Sequence, residues 1–208
     1  AVQSVLDQTE PVAEVIIVVD TDQPLSYPSD SRIILLRNDS CLGPAASRQR
    51  GIDAATGTVI ALLDDDDEWH PDKLHRQLGA VEGAGPHWLS SCRIAAEGPG
   101  RRRRVWPRRL IRPTDSVADY LFRFTGMRHG GRLLQTSTLC FPVELARVVR
   151  WDAHAGEVHD EPSWLLGVSR TFPDLQVIQL PEVLSTYHLG AESESRQTAD
   201  RTDDYIDW

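Results

Sequence analysis

The sequence has little lysine, little cysteine and no long apolar run. Lys73 is the only lysine among 208 residues, so arginine carries nearly all of the positive charge. The three cysteines (Cys41, Cys92 and Cys140) are odd in number, widely spaced and without a CxxC pair, which argues against a disulfide framework or a zinc site. No apolar run approaches the ~20 residues of a membrane helix, and no signal peptide opens the chain. These absences predict a protein of the reducing cytoplasm.

The charge balance narrows the class of partner. The formal net charge is -9 at pH 7, which argues against a general nucleic-acid binder. With 40% hydrophobic and 25% charged residues, the composition is that of an ordinary globular protein. A chain of this length predicts a single α/β domain, which we place over 1–208.

Apolar runs alternate with helical patterns in the first half of the chain. Such alternation predicts right-handed crossovers and a mainly parallel sheet flanked by helices. Ligands bind beyond the carboxyl ends of strands in these sheets, and Asp20 and Asp64 both follow a predicted strand. The predicted strands are 15–19, 33–36 and 58–63, and the predicted helices are 1–8, 43–55 and one that begins at Pro71.

The second half is less regular. We predict strands over 87–96 and 133–141, and a strand pair over 175–189 that is interrupted at Pro181. Helices are predicted over 117–124, 142–149 and from Pro162 to Arg170. The segment 98–112 is predicted as a loop, and 191–208 as a loosely held tail.

Five consecutive carboxylates, from Asp64 to Glu68, follow the third predicted strand. Side by side they repel one another unless they are solvated or bridged by a cation. Their hard oxygen atoms suit Mg2+ or Mn2+, which keep coordination sites open for phosphate oxygens. The alternative is an acidic surface turn that caps the next helix.

The surrounding residues resemble the family 2 glycosyltransferases of GT-A fold. Residues 63–74 (Leu-Asp-Asp-Asp-Asp-Glu-Trp-His-Pro-Asp-Lys-Leu) match the family string L-D-x-D-D-x-W-x-P-D-K-L at every fixed position. Residues 18–22 resemble its V-D-D-G-S-x-D strand end, and 43–51 resemble its G-x-x-x-A-R-N-x-G, with Gln49 in place of Asn. The family's opening strand, of the type V-S-V-I-I-P-T-Y-N, has no counterpart, because residue 1 already lies in the first helix.

The resemblance implies a Rossmann-like GT-A sheet that binds a nucleotide-sugar donor. It implies that Asp20 contacts the base, that Asp64 holds the ribose with Asp65 as supporting charge, and that Asp66 in the DxD motif binds Mn2+ or Mg2+ on the donor diphosphate. Arg48 would face the nucleotide, the alternative being a surface ion pair on an amphipathic helix. The expected organisation is a nucleotide-sugar half (1–97) and an acceptor half (98–190).

Inverting members of the family need a base for the acceptor hydroxyl. Residues 159–166 (His-Asp-Glu-Pro-Ser-Trp-Leu-Leu) resemble the family's H-D-D-W-D-W-L-L, which puts Glu161 at the base position beside Asp160. The alternative is an acidic helix start that needs no catalytic role. His188 matches a histidine that family members use beside the metal, and a half-buried strand histidine explains it equally well.

Seven arginines between Arg101 and Arg112 concentrate positive charge on an otherwise acidic chain. A solvated loop is the default explanation. The functional alternative is contact with an anionic acceptor, such as a lipid-linked or other phosphate-bearing glycan, at the inner face of the membrane. Glycan, lipid-linked and small-molecule acceptors all remain open.

Three functions are therefore compared. The first is an inverting glycosyltransferase, and the second is a nucleotidyltransferase, which would need a Gly-rich phosphate loop that the sequence does not have. The third is a sugar-nucleotide-binding protein without turnover, which the absent first strand and the glutamate at position 161 keep open.

Overall fold

The computed structural model describes residues 1–100, 102–123, 131–151 and 160–189, and its strands form two sheets. The predicted tail 191–208 lies outside the described residues. The smaller sheet pairs β1 with β2 in parallel, and the larger has the order β3-β7-β5-β8-β4 with β6 added beside β5. In chain order, the strands are β1 Val15–Val19, β2 Ile33–Arg37, β3 Val59–Ala61, β4 Glu68–Trp69, β5 Trp88–Glu97, β6 Arg104–Trp106, β7 Cys140–Pro142 and β8 Gln176–His188.

Strand pairing is mixed, so the prediction of a mainly parallel sheet needs correction. In the larger sheet β5 and β8 run parallel, whereas the β3–β7, β5–β6, β5–β7 and β4–β8 pairs are antiparallel. Only six residues separate β5 from β6, which is too short for the crossover that a parallel pair requires. Among the described strands, none pairs with both β1 and β3, and none corresponds to the family's opening strand, as the sequence predicts.

Three predicted segments differ in detail. Residues 133–141 contain a 3-10 turn, Thr136–Thr138, before the short strand β7, because the polar side chains of this turn bond to carboxylates of the site. The expected strand pair over 175–189 is the single strand β8, and its ladder to β5 skips Pro181 and Glu182. A bulge suits proline, which has no N–H for the ladder. The segment 98–112, predicted as a loop, contains β6.

The helices agree with the predicted pattern to within a few residues. Gly43 has a φ of 85°, which glycine adopts without strain, and Pro44 occupies the first turn of α2. The last helix begins at Asp160 rather than Pro162, so both carboxylates at 160 and 161 belong to its first turn. The helices are α1 Val2–Leu6, α2 Pro44–Ala54, α3 Lys73–Ala80, α4 Val117–Phe122, α5 Val143–Val148 and α6 Asp160–Thr171.

The core has two main parts. The larger cluster includes Phe141 of β7 and Trp164 of α6, whose rings lie 4.7 Å apart, and Trp151 stacks on Trp164 at 4.8 Å. The smaller cluster joins the two sheets, because side chains of β1 and of the β3 end pack together with Trp69 and Leu74. Within the described residues, no helix is long and apolar enough to cross a membrane.

Lys73, at the start of α3, is completely buried. Its ammonium lies 4.2 Å from the centre of the Trp69 ring and has no hydrogen-bond partner among the described residues. Burial lowers the pKa of Lys73, and burial raises the pKa of the neighbouring Cys92 and Cys140 thiols to about 11. These two cysteines are free and buried, as expected of small apolar side chains, whereas Cys41 is free and exposed.

Candidate active site

Asp20, directly after β1, holds the loop that leads into α2. Its carboxylate accepts hydrogen bonds from Asn38 Nδ2 (2.6 Å) and from the backbone N–H groups of Leu42 (2.9 Å) and Gly43 (2.7 Å). Burial alone would raise the pKa of Asp20, but these hydrogen bonds outweigh it and lower the pKa. Both oxygens already have protein donors, so base recognition by Asp20 stays a prediction that must accommodate this network.

Arg48 joins the two halves of the predicted site. Its Nη2 donates to Asp64 Oδ1 at 2.9 Å, and its Nη1 forms an ion pair with Asp160 at the start of α6. The guanidinium carbon lies 5.3 Å from the centre of the Trp151 ring. Arg48 therefore forms a largely buried ion pair rather than a surface one, because its side chain is only 17% exposed and has two carboxylate partners, Asp64 beyond β3 and Asp160 of α6. Its contact with the nucleotide stays a prediction.

Glu161 is also held by the protein. Thr136 Oγ1, in the 3-10 turn, donates to Glu161 Oε2 at 2.5 Å. Burial raises the pKa of Glu161 to about 8, against the lowering effects of Thr136 and Arg48, and the charges of Asp64 and Asp160 raise it further. A carboxylate with a pKa near the working pH is suited to take a proton from a hydroxyl group.

Asp67 is the buried anchor of the acidic cluster. It is 0% exposed and accepts hydrogen bonds from Ser137 Oγ (2.6 Å), Gln135 Nε2 (3.0 Å) and the backbone N–H of His188 (3.3 Å). Burial raises its pKa to about 6. The sequence-based prediction gives Asp67 no specific role, although its fixed place in the family string L-D-x-D-D-x-W-x-P-D-K-L is a signal that identifies it.

Asp65 and Asp66, which precede this anchor in sequence, are exposed residues. Burial of the carboxyl group and the charges of Asp65 and Asp64 raise the pKa of Asp66. His188 Nε2 lies 3.8 Å from Glu68 Oε2, so its imidazole is beside the acidic cluster. The structure thus brings Asp64, Asp66 and His188 to one rim of the larger sheet.

The carboxylates of this rim suit a divalent cation that a substrate also coordinates. The described residues contain no group of three or more His, Cys, Asp or Glu side chains arranged to hold an ion alone. Mg2+ and Mn2+ sites commonly use one or two carboxylates together with substrate phosphates and waters. The mutual repulsion that raises the pKa of Asp66 is the feature that a bound cation would relieve.

Comparison with known proteins identifies the family and the fold of the chain. The model of the glycosyl transferase family 2 matches residues 1–139, so the chain belongs to that family. The fold is of GT-A type: it is similar to that of S. aureus TarS in complex with UDP-GlcNAc, with a TM-score of 0.66 and 14% identity over 98% of this chain and 58% of the TarS chain.

Bacterial polysaccharide enzymes are among its similar sequences. The amylovoran biosynthesis glycosyltransferase AmsB of Erwinia amylovora is 34% identical over 128 residues, which are 60% of this chain and 40% of AmsB. The glucosyltransferase WfaP of Escherichia coli, which uses UDP-Glc and a diphosphoundecaprenol-linked GlcNAc, is 36% identical over 86 residues, or 39% of this chain and 34% of WfaP. The chain thus spans well under half the length of these two relatives.

Proposed function

We propose that this chain is the donor-binding and catalytic part of an inverting glycosyltransferase that moves a sugar from a nucleoside-diphosphate sugar to a hydroxyl acceptor. The observation that supports it best is the Asp64–Arg48–Asp160 bridge, which sets Glu161 of α6 beside the strand end that carries the acidic cluster. A donor site and a base must be adjacent for in-line attack. The relatives named for UDP-Glc and the TarS complex with UDP-GlcNAc favour UDP as the donor nucleotide.

In the proposed reaction, Glu161 takes the proton of the acceptor hydroxyl as its oxygen forms a bond to the anomeric carbon. The bond between that carbon and the donor phosphate oxygen breaks, and the nucleoside diphosphate leaves. Asp64 holds the ribose, with Asp65 as supporting charge, while Asp66 and His188 would hold Mn2+ or Mg2+. When bound, the cation supplies positive charge for the leaving diphosphate.

The acceptor is proposed to be anionic and to meet the arginine segment, which we define as residues 102–112. β6 in this segment pairs Arg104 with Ala96, which keeps the arginines next to Glu97, and Glu97 is the ladder partner of His188. Arg102, Arg103 and Arg104 are exposed, although Arg103 pairs with Glu97 at 2.8 Å. A phosphate-bearing lipid or glycan would be recognised here in the cytoplasm, at the inner face of the membrane.

A thermal-shift panel tests the donor assignment. UDP-, dTDP- and GDP-sugars are compared with and without Mn2+, and a ligand at 100 times its Kd stabilises by about 2.7 kcal/mol. We expect a UDP-sugar with Mn2+ to raise the Tm most. Absence of a shift with every nucleotide sugar would refute the donor site, and binding without transfer to any hydroxyl acceptor would favour the binding protein without turnover.

A further inference from the structure

Arg48 makes the strongest connection between the acidic rim and the helix that carries the predicted base. It lies on α2, and its two terminal nitrogens bond to carboxylates whose sequence positions differ by 96. Side-chain exposures are 17% for Arg48, 30% for Asp64 and 10% for Asp160. We infer that Arg48 is a positioning residue that holds the first turn of α6, and therefore Glu161, against the strand end at Asp64. This inference rests on the proposed function.

The geometry leaves Arg48 little capacity for the nucleotide contact that the family resemblance implied. Its Nη1 and Nη2 are engaged by Asp160 and Asp64, and Trp151 lies near its guanidinium group. A planar guanidinium can bond two carboxylates in fixed directions, which the single ammonium of a lysine cannot reproduce. Arg48 thus acts through the position of α6 rather than through the donor.

Loss of Arg48 would leave Asp160 buried without its cation. Among the described residues, the remaining hydrogen-bond partner of the Asp160 side chain is the backbone N–H of Glu161, at 2.8 Å. An unpaired buried carboxylate either shifts the helix start or draws in a proton. A shifted helix start moves the charge of Asp160 relative to Glu161, and a proton on Asp160 removes that charge. The charged groups around Glu161 are Arg48, Asp64 and Asp160.

Steady-state kinetics of Arg48→Gln test the inference. Because misplacement by about 1 Å can cost 100-fold, we expect kcat to fall roughly tenfold to 100-fold while the Kd of UDP with Mn2+ changes less than about threefold. Arg48→Lys should recover part of kcat. Arg150→Gln is the matched control, since Arg150 also pairs with an aspartate (Asp53, 2.7 Å) but is 58% exposed. An unchanged kcat with weakened UDP binding would overturn the inference in favour of a nucleotide contact.

The pH profile separates positioning from general damage. Removal of the Arg48 charge should raise the pKa of Glu161 and move the rising limb of kcat to higher pH by about one unit. Asp160→Asn removes a negative charge and should move the same limb to lower pH. Equal losses at every pH in both variants would contradict the inference. If Arg48→Gln does not fold, the pH profile of Asp160→Asn alone still tests it.

A third measurement does not depend on turnover. Failure of the wild-type chain to transfer sugar would refute the proposed function, yet the bridge would still be measurable by melting Arg48→Gln, Asp160→Asn and the double variant. If the bridge holds α6, the Tm loss of the double variant is clearly smaller than the sum of the single losses. Additive losses would show that the two residues do not act together.

Discussion

Glu161 and Asp160 are neighbours in sequence, yet they have different partners. Glu161 is bonded by Thr136, and Asp160 by Arg48. Burial raises the pKa of both carboxyl groups, that of Glu161 to about 8, but Asp160 is neutralised by its ion pair with Arg48, so Glu161 is the one suited to a base.

For Glu161→Gln we expect turnover to fall by roughly 100-fold or more, because glutamine keeps the shape but cannot accept the proton. Donor binding should be retained. Asp160→Asn should lose about tenfold or less, because asparagine can still accept a hydrogen bond from Arg48. Transfer assays at saturating donor compare the two variants; a reversed order would make Asp160 the base.

Asp66 is exposed, and no core contact depends on it. Asp66→Asn should therefore abolish the Mn2+-dependent part of UDP binding and leave the Tm of the free protein nearly unchanged. Calorimetric titration of UDP with and without Mn2+ measures this. Asp119→Asn on α4 serves as an exposed aspartate control outside the site. Normal metal-dependent binding by Asp66→Asn would remove Asp66 from the predicted ligands.

At the scale of elements, strand ends were the most predictable part of the site. Each of two apolar runs stops at a carboxylate, which placed Asp20 and Asp64 after β1 and β3 from local pattern alone. The 3-10 turn could not be predicted in this way. Its polar residues would suit an alternating strand, and their partners Asp67 and Glu161 are distant in sequence.

The structure of the arginine segment also could not be predicted from its charged composition. Composition predicted a loop over 98–112, but β6 forms because Arg104, Val105 and Trp106 can pair with the long strand β5. Val105 and Trp106 favour a strand, but two such residues between arginines and Pro107 are too short a run to predict one, so pairing with β5 decided the outcome.

Replacement of Arg102, Arg103 and Arg104 by serine should weaken use of anionic acceptors and leave donor affinity unchanged. The expected loss is about 1 kcal/mol per arginine at an anionic surface. The control replaces Arg76, Arg150 and Arg170, which removes equal charge from exposed positions elsewhere. Transfer is measured with acceptors in anionic and in neutral vesicles. Equal rates for both triple variants would show that the arginine segment is a solvated surface with no role in acceptor recognition.

At the scale of the whole molecule, the raised pKa of the partly buried Glu161 predicts a cost in stability at high pH. A carboxyl group whose pKa is raised on folding binds its proton more tightly in the folded state, so stability falls as pH rises from the usual glutamate value to about 8. The wild-type chain should therefore lose Tm over this interval.

Glu161→Gln should remove much of that loss. Near pH 5 the two proteins should have the same Tm, and at pH 8.5 the variant should have the higher Tm. In a chain of this size, each 1 kcal/mol in the free energy of unfolding corresponds to roughly 2–4 °C of Tm. Melting in EDTA over this pH range measures the difference. A variant that is less stable at high pH would show that ionised Glu161 is not costly in the fold.

The burial of Lys73 under Trp69 has a practical consequence for labelling. This 208-residue chain offers amine-reactive reagents only one side-chain amine, and the fold encloses it. Such reagents should leave the amine of Lys73 unmodified in the folded chain and reach it only when the packing around α3 opens. Mass spectrometry of the peptide that contains residue 73 would thus report opening of the molecule at a single position, with no engineered probe.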